Sequence, residues 1–487
     1  MLFNSYAFLF AFLPATCLVY FALNRWLPGR AGLAWLFGAS CFFYAWWNWK
    51  FLPLLLGSIV VNFALGHALQ LRTQPLISHR RGAGRALLSA GIVANLALLG
   101  YFKYTDFFVA NANTLLGANW LLSHVILPLG ISFFTFTQIA FLVDAQRGQA
   151  RELSFVNYGL FVSFFPHLLA GPILHHGEMM PQFAEGSNKR FNAANFWVGL
   201  TLVIIGLAKK VLIADEIAPW ANAGFAQPAQ LQFIDAWVAA LSYTLQIYFD
   251  FSGYTDMALG MAWMLNIRLP LNFASPYQSR NLQEFWRRWH MTLSRFLRDY
   301  LYIPLGGNRR GPRLALLFVL ITFALGGLWH GANWTFVAWG VLNGLGVVAV
   351  QVVHRAGWSL PRGIGWALTM LFTIVAWVFF RASSLDDALH IVRVMFGGRG
   401  VSMHAVVPEW APLFAAGTYS RSGLQWAALY TGAVMIIGFA LAWCAPNSQT
   451  LLARWRWSPL LAVTIAALAV AALLNLDRVT EFLYFNF

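Results

Sequence analysis

Charge is what this chain of 487 residues has least of. Asp, Glu, Lys and Arg make up 10% of it, where a soluble domain carries roughly 25%. Acid is scarcer than base, with 17 Asp and Glu against 32 Lys and Arg. Cysteine is nearly absent too: Cys17, Cys41 and Cys444 are the whole set, and each lies in an apolar segment. An odd count with no CxxC pair and no Cys/His cluster suggests neither a disulfide framework nor a zinc site, so no metal is expected. The opening MLFNSYAFLFAFLP lacks a basic n-region and a small-residue cleavage site, so it reads as a retained first span rather than a signal peptide. Internal repeats and low-complexity tracts are not evident.

What is present is hydrophobic, 59% of all residues. That composition defines an integral membrane protein, and a single polytopic domain over 1–487 is the simplest organisation. Apolar runs able to span lie at 6–23, 33–47, 51–71, 86–102, 125–143, 158–169, 196–213, 233–249, 314–329, 336–353, 364–380, 424–443 and 460–474. Some are short enough to be re-entrant or interfacial, so the expectation is about 11–13 spans. The formal charge of +15 sits in short loops at 72–85, 147–151 and 268–313. This is the positive-inside bias with contact to anionic lipid. It is not a nucleic-acid footprint, and it leaves a minor share for an anionic substrate. Trp46, Trp47 and Trp49 beside Lys50 read as an interfacial anchor. Residues 397–423 read as a surface loop.

Three stretches break the hydrophobic pattern. In SFFPHLLAGPILHHGEMMPQF (163–183) three prolines interrupt any helix, and such backbone is tolerated at membrane depth only where it is buried or lines a cavity. The adjacent His175 and His176 would point apart on a helix, which disfavours shared metal ligation. In IYFDFSGYTDMALG (247–260), Asp250 and Asp256 stand among aromatics at the end of a span. Each is either a structural ion-pair partner or a support for a catalytic group.

The third stretch, 281–334, is the one the rest is organised around. Asn281 with Glu284 resembles a capping box. Leu282, Phe285, Trp286, Trp289, Leu293, Phe296, Leu297, Tyr300 and Leu301 follow at 3-and-4 spacing, which predicts one basic amphipathic helix. Arg287, Arg288, Arg295 and Arg298 fill much of its other face, and His290 stands at the border. The turn LGGNRR (305–310) is a weak anion site, without the Lys-Ser/Thr ending of a P-loop. Then LGGLWHGANW (325–334) carries His330, the one ionisable residue between Leu314 and Gly344. An ionisable group inside the membrane points to function; a buried histidine bonded to a neighbouring helix is the competing reading. Imidazole can take and return a proton near neutral pH. Gly326, Gly327 and Gly331 let a substrate or helix approach closely.

At these residues the chain resembles the membrane-bound O-acyltransferases, and within them the bacterial alginate O-acetylation branch. The resemblance runs through FYAWW (43–47), GYFKY (100–104), LPLGISFF (127–134), FPHLLAGPI (165–173), YFDFSGYTDMALG (248–260), EFWRRWHMTLSRFLRDYLYIPLGGNR (284–309), LGGLWHGANW (325–334) and the ending FLYFNF (482–487). It implies an all-α polytopic bundle around a central tunnel, with interfacial and re-entrant helices. It also implies acyl transfer to a hydroxyl outside the cytoplasm, from a bacterial inner membrane. The catalytic histidine maps onto His330 and the second family histidine onto His290. Arg287, Arg288, Trp329, Asn333 and Asp250 are the candidates for holding substrate or donor.

The implied donor is acetyl-CoA or a derived acetyl carrier, with no resident cofactor. The implied partners are a periplasmic acetyltransferase of the SGNH-hydrolase type, the exopolysaccharide synthesis and export machinery, and the bilayer. Alginate, cellulose and peptidoglycan are all open as the polymer. The alternatives are a flippase for an activated sugar or lipid, which broken helices and an intramembrane histidine also suit, and D-alanyl transfer to a cell-wall polymer.

Overall fold

A computed structural model describes residues 1–27, 29–72, 81–150, 154–401, 421–454, 458–476 and 482–483. Most of the loops at 72–85 and 397–423, part of that at 147–151 and the last four residues of FLYFNF lie outside them. Among the described residues the regular structure is helical and no strand occurs. Seven helices are long and apolar enough to cross a bilayer: Ala7–Trp26, Ala31–Leu71, Gly82–Leu116, Ala193–Ala226, Pro312–His330, Trp334–Arg355 and Arg362–Arg381. Gly432–Cys444 and Pro459–Leu474 are shorter apolar helices. The chain is an all-α, multi-pass membrane protein.

Seven is fewer than the expected 11–13 spans: the runs at 424–443 and 460–474 give only the two shorter helices, and that at 233–249 lies in a helix, Phe233–Met264, outside the seven. Four further runs add two more reasons. The runs at 33–47 and 51–71 join through a short turn, Trp49–Phe51, into one candidate span. Those at 125–143 and 158–169 fold as Ile131–Gln146 and Phe155–Ser163, too short at 1.5 Å per residue to cross ~30 Å of hydrocarbon.

Contacts sort the chain into two compact units, residues 1–204 with 254–271, and residues 205–253 with 272–487. In the first, the helix Ile131–Gln146 is buried along almost its whole length. Polar residues tie its neighbours together. Asn62 and Asn95 exchange side-chain amide bonds of 3.2 and 2.6 Å, and Gln138 donates to Ser58 Oγ at 2.8 Å. Where water is excluded, such interhelical bonds replace hydrophobic driving force as the specific glue. The proline-rich stretch is broken around Pro166 and Pro172, giving Phe165–Leu168 after Phe155–Ser163, but Pro181 does not break its helix and sits inside His176–Ala184. Trp46, Trp47 and Trp49 are exposed, as anchors must be.

In the second unit, the spans Pro312–His330 and Trp334–Arg355 form a tight hairpin built on glycine. A Cβ added to Gly340 would stand 3.1 Å from Gly327 Cα, and one on Gly327 would stand 3.0 Å from Gly340 Cα. The two backbones therefore touch directly, one turn from His330. A cluster of Leu282, Val319 and Val347, covered by Trp286, Phe323 and Phe372, seats the first amphipathic helix against this hairpin.

Candidate active site

Residues 281–301 do not fold as the single helix their spacing predicts. They form Leu282–Arg288 and Met291–Leu297, the latter running on into a wider turn at Arg298–Tyr302. Asn281 Oδ1 accepts the Glu284 N–H at 2.8 Å, as a capping residue should. The Glu284 carboxylate closes back one residue earlier than a capping box would, on the Arg280 N–H at 2.9 Å.

The break falls at His290, whose φ of 42° and ψ of 53° are left-handed, an uncommon conformation for a non-glycine residue. Asn272 holds it there. Its backbone oxygen accepts the Met291 N–H at 3.0 Å, and its Oδ1 accepts the Thr292 N–H at 3.2 Å and the Thr292 hydroxyl at 2.9 Å. These bonds satisfy the first donors of the new helix, which a continuous helix would have spent on its own carbonyls.

The same side chain settles the state of the histidine. Asn272 Oδ1 accepts a backbone N–H, so the amide oxygen faces that way. His290 Nδ1, 3.1 Å from this oxygen, must then be the protonated nitrogen, which leaves Nε2 with the lone pair. The ring is fully buried, edge-on to Phe251 at 4.8 Å. It lies outside the seven spans, and burial pushes its pKa down from 6.5 to about 3. It is a neutral acceptor at physiological pH.

A stability prediction follows from that shift. Between pH ~6.5 and ~3 the unfolded ring is protonated while the folded ring is not, so stability falls as pH falls, by about 1.4 kcal/mol per unit for this one group. Melting curves between pH 6.5 and 4.5 should be less acid-sensitive for His290→Gln than for the native chain. Equal slopes would mean the ring is not held neutral.

His330 ends the helix Pro312–His330 and is 3% exposed. Aromatic rings from three segments box it in: Trp329 at 4.9 Å, Trp339 at 5.1 Å and Phe380 at 5.2 Å between centroids. Trp377 stacks on Trp339 and donates from its indole N–H to Tyr277 Oη at 3.1 Å, while Tyr277 donates to the Thr244 carbonyl at 2.6 Å. Trp286 Nε1 donates to Asn343 at 3.3 Å. Trp377 and Trp286, which pack against Trp339, are thus fixed by their own polar edges.

A cleft of about 380 Å³ leads to this histidine. Gly326, Thr322 and Trp339 line its buried end beside His330, and Arg287, Arg298 and Asn308 are its exposed residues. From Val319 to His330 it follows eleven steps of helix, about 17 Å.

The sequence candidates divide sharply. His330 and Arg287 line the cleft. Arg287 has no ion pair or hydrogen bond from its side chain among the described residues. Arg288 is instead engaged with Glu284 at 2.7 Å and the Ala274 carbonyl at 3.4 Å. Trp329 packs against both imidazoles, 4.9 Å from His330 and 6.4 Å from His290. Asn333 caps the next helix by accepting the Thr335 N–H at 3.0 Å and donates to the Ser383 carbonyl at 2.9 Å.

Asp250 belongs to a buried ion cluster. Lys210 Nζ lies 2.7 Å from both Asp250 and Asp215, and Asp250 also accepts the Leu483 N–H at 3.0 Å. Asn272, Lys210, Trp339 and Phe380 were not singled out from sequence. Of these, only Lys210 carried a signal, as a charge inside an apolar run.

His330 thus lies buried at the end of a membrane span, lines a cleft and is boxed by two indoles and a phenyl ring. Residues 42–385 match the MBOAT, membrane-bound O-acyltransferase family, and the chain belongs to that family: it is an acyltransferase. It is 46% identical over 437 residues to the peptidoglycan O-acetyltransferase of Helicobacter pylori, covering 83% of this chain and 81% of that one. It is 40% identical over 405 residues to a protein named probable alginate O-acetylase from Azotobacter vinelandii, 81% of this chain and 78% of the other. The teichoic acid D-alanyltransferase of Bacillus subtilis is more distant, 28% identical over 225 residues, 44% of this chain and 56% of its own.

Proposed function

We propose that the chain is a bacterial inner-membrane O-acetyltransferase component that accepts acetyl groups from acetyl-CoA or a derived acetyl thioester and delivers them outward for O-acetylation of an exported polysaccharide. The observation that carries this reading is the cleft that ends on His330, with the Arg287 guanidinium, unpaired among the described residues, at its exposed end. Its depth and apolar walls suit a slim thioester arm, and its charged rim suits the phosphates such an arm hangs from. The rim shares the segment 305–313 with the basic loop, for which the Lys/Arg bias favours the cytoplasmic side.

In this mechanism His330 takes the proton of the acceptor hydroxyl. The hydroxyl oxygen then attacks the thioester carbonyl carbon, the C–S bond breaks as the tetrahedral intermediate collapses, and the thiolate leaves with the proton from the imidazolium. The aromatic box excludes water, which protects the thioester from hydrolysis. His290 contributes as a neutral acceptor through Nε2, orienting substrate or assisting the proton's transfer.

Onward transfer goes through a periplasmic acetyltransferase of the SGNH type to the polymer. The acetylating relatives support acetyl as the cargo, since they align over four-fifths of the chain and the D-alanylating one over less than half.

Membranes carrying the protein, supplied with labelled acetyl-CoA and the periplasmic partner, test the donor. Arg287→Gln is expected to raise KM for acetyl-CoA about tenfold with kcat little changed, the mark of lost uniform binding. An unchanged KM removes Arg287 from the donor site. No transfer from acetyl-CoA, with transfer from another acetyl thioester, replaces the donor.

A further inference from the structure

The catalytic cleft is not the largest hollow in the second unit. A groove of about 880 Å³ lies between the spans Trp334–Arg355 and Arg362–Arg381, and nothing in the acetyl-transfer reading uses it. Its walls are apolar, Leu345, Val350, Leu368 and Phe372 among them, and Gly346 and Ala349 leave it room. Polar side chains are gathered at one end, where Arg280, His354 and Arg362 form an exposed rim. None of these three side chains has an ion pair or hydrogen bond among the described residues. Arg280 is held in place through its backbone: a Cβ on Gly365 would stand 2.6 Å from the Arg280 carbonyl oxygen.

The dimensions identify what fits. Leu342 to Val353 is eleven helical steps and Gly365 to Val375 is ten, about 16 and 15 Å at 1.5 Å each. Half the ~30 Å hydrocarbon thickness of a bilayer is the same depth. The groove is one leaflet deep, apolar along that depth and cationic where the headgroups lie. The hairpin returns Arg355 to the side on which Pro312 begins, so the rim shares a face with the basic loop at 305–313.

We propose that this groove is a binding site for one acidic diacyl phospholipid of that leaflet. Its phosphate sits on Arg280 and Arg362, with His354 beside it, and its acyl chains lie along the two helices. Free phosphate has no use for the apolar depth, and a transmembrane helix has none for a rim carrying two guanidiniums without a counter-ion among the described residues.

The test uses the full chain reconstituted in phosphatidylcholine vesicles doped with a phosphatidylglycerol that carries a diazirine in one acyl chain. Photolabel should concentrate on peptides covering 342–353 and 365–375. Arg280→Gln with Arg362→Gln should lower it about tenfold or more. Ala349→Trp, which fills the groove and leaves the charges in place, should lower it as well, and excess inorganic phosphate should leave it unchanged. Melting temperature and acetyl transfer in the same samples report whether a variant is folded. The proposal fails if folded variants label like the native chain, if a diazirine phosphatidylcholine labels equally, if phosphate abolishes labelling, or if these peptides cross-link to protein instead of lipid.

Discussion

His330→Ala leaves a folded protein in the membrane and removes ester-linked acetate from the exported polysaccharide, while polymer export continues. The expected fall in transfer is at least the ~10²–10⁴-fold that a positioned acid–base group contributes. Alanine alone would be ambiguous, because the imidazole also fills a box of three rings, and truncating a buried side chain leaves a cavity. His330→Gln separates the two roles. Glutamine keeps most of the volume and can hydrogen-bond, but it cannot shuttle a proton at neutral pH. If glutamine is as inactive as alanine at matched membrane levels, proton transfer is what was lost. If glutamine restores acetylation, His330 is packing. If acetate per unit polymer stays constant while export falls, the chain moves polymer precursors and the acyl-transfer mechanism is wrong.

The second large effect lies away from the cleft. Lys210→Met should destabilise the protein by about 3–5 kcal/mol, the usual result of leaving buried charge without its counter-ion. Lys210, Asp215 and Asp250 have side chains only 2%, 6% and 2% exposed, so the two carboxylates left behind cannot recruit water. Lys210 also lies 4.9 Å from the centre of the Phe482 ring, and Asp250 bonds the next residue's N–H, so Phe482 and Leu483 are docked on this same cluster. Thermal melting of detergent-purified protein is the measurement. The triple variant Lys210→Met, Asp215→Asn, Asp250→Asn should recover much of the loss, because nothing charged remains buried. A single substitution no worse than the triple would show the cluster is not charged as drawn. Asp250→Asn that raises KM without touching stability would return that residue to the list of substrate contacts.

These outcomes mark where sequence reading reaches and where it stops. His330 was legible because it is a lone ionisable group in an apolar run, and the membrane makes such a group conspicuous. The break at His290 was not, since the 3-and-4 spacing of Phe285, Trp289, Leu293 and Phe296 carries through it undisturbed. What breaks the helix is Asn272, 18 residues upstream, in a stretch with nothing local to announce it. Arg287 and Arg288 look alike on a helical wheel, and only Glu284, one turn away, separates a committed cation from an uncommitted one. The aromatic box drew on Trp329, Trp339 and Phe380 from three helices. In a chain with 23 tryptophans and 43 phenylalanines, a ring facing a site and one facing lipid read the same.

The contact between Gly327 and Gly340 has a consequence for how this protein tolerates change. Because main chain meets main chain there, the separation of the two spans does not depend on which side chains clothe their outer surfaces. The imidazole at the end of the hairpin is therefore registered by backbone dimensions, which no substitution elsewhere on the two helices resets. Lipid-facing positions such as Leu314, Leu317 and Val341, all exposed, are free to drift with bilayer thickness or acyl composition without moving the His330 ring. The two glycines are the pair that such drift cannot touch.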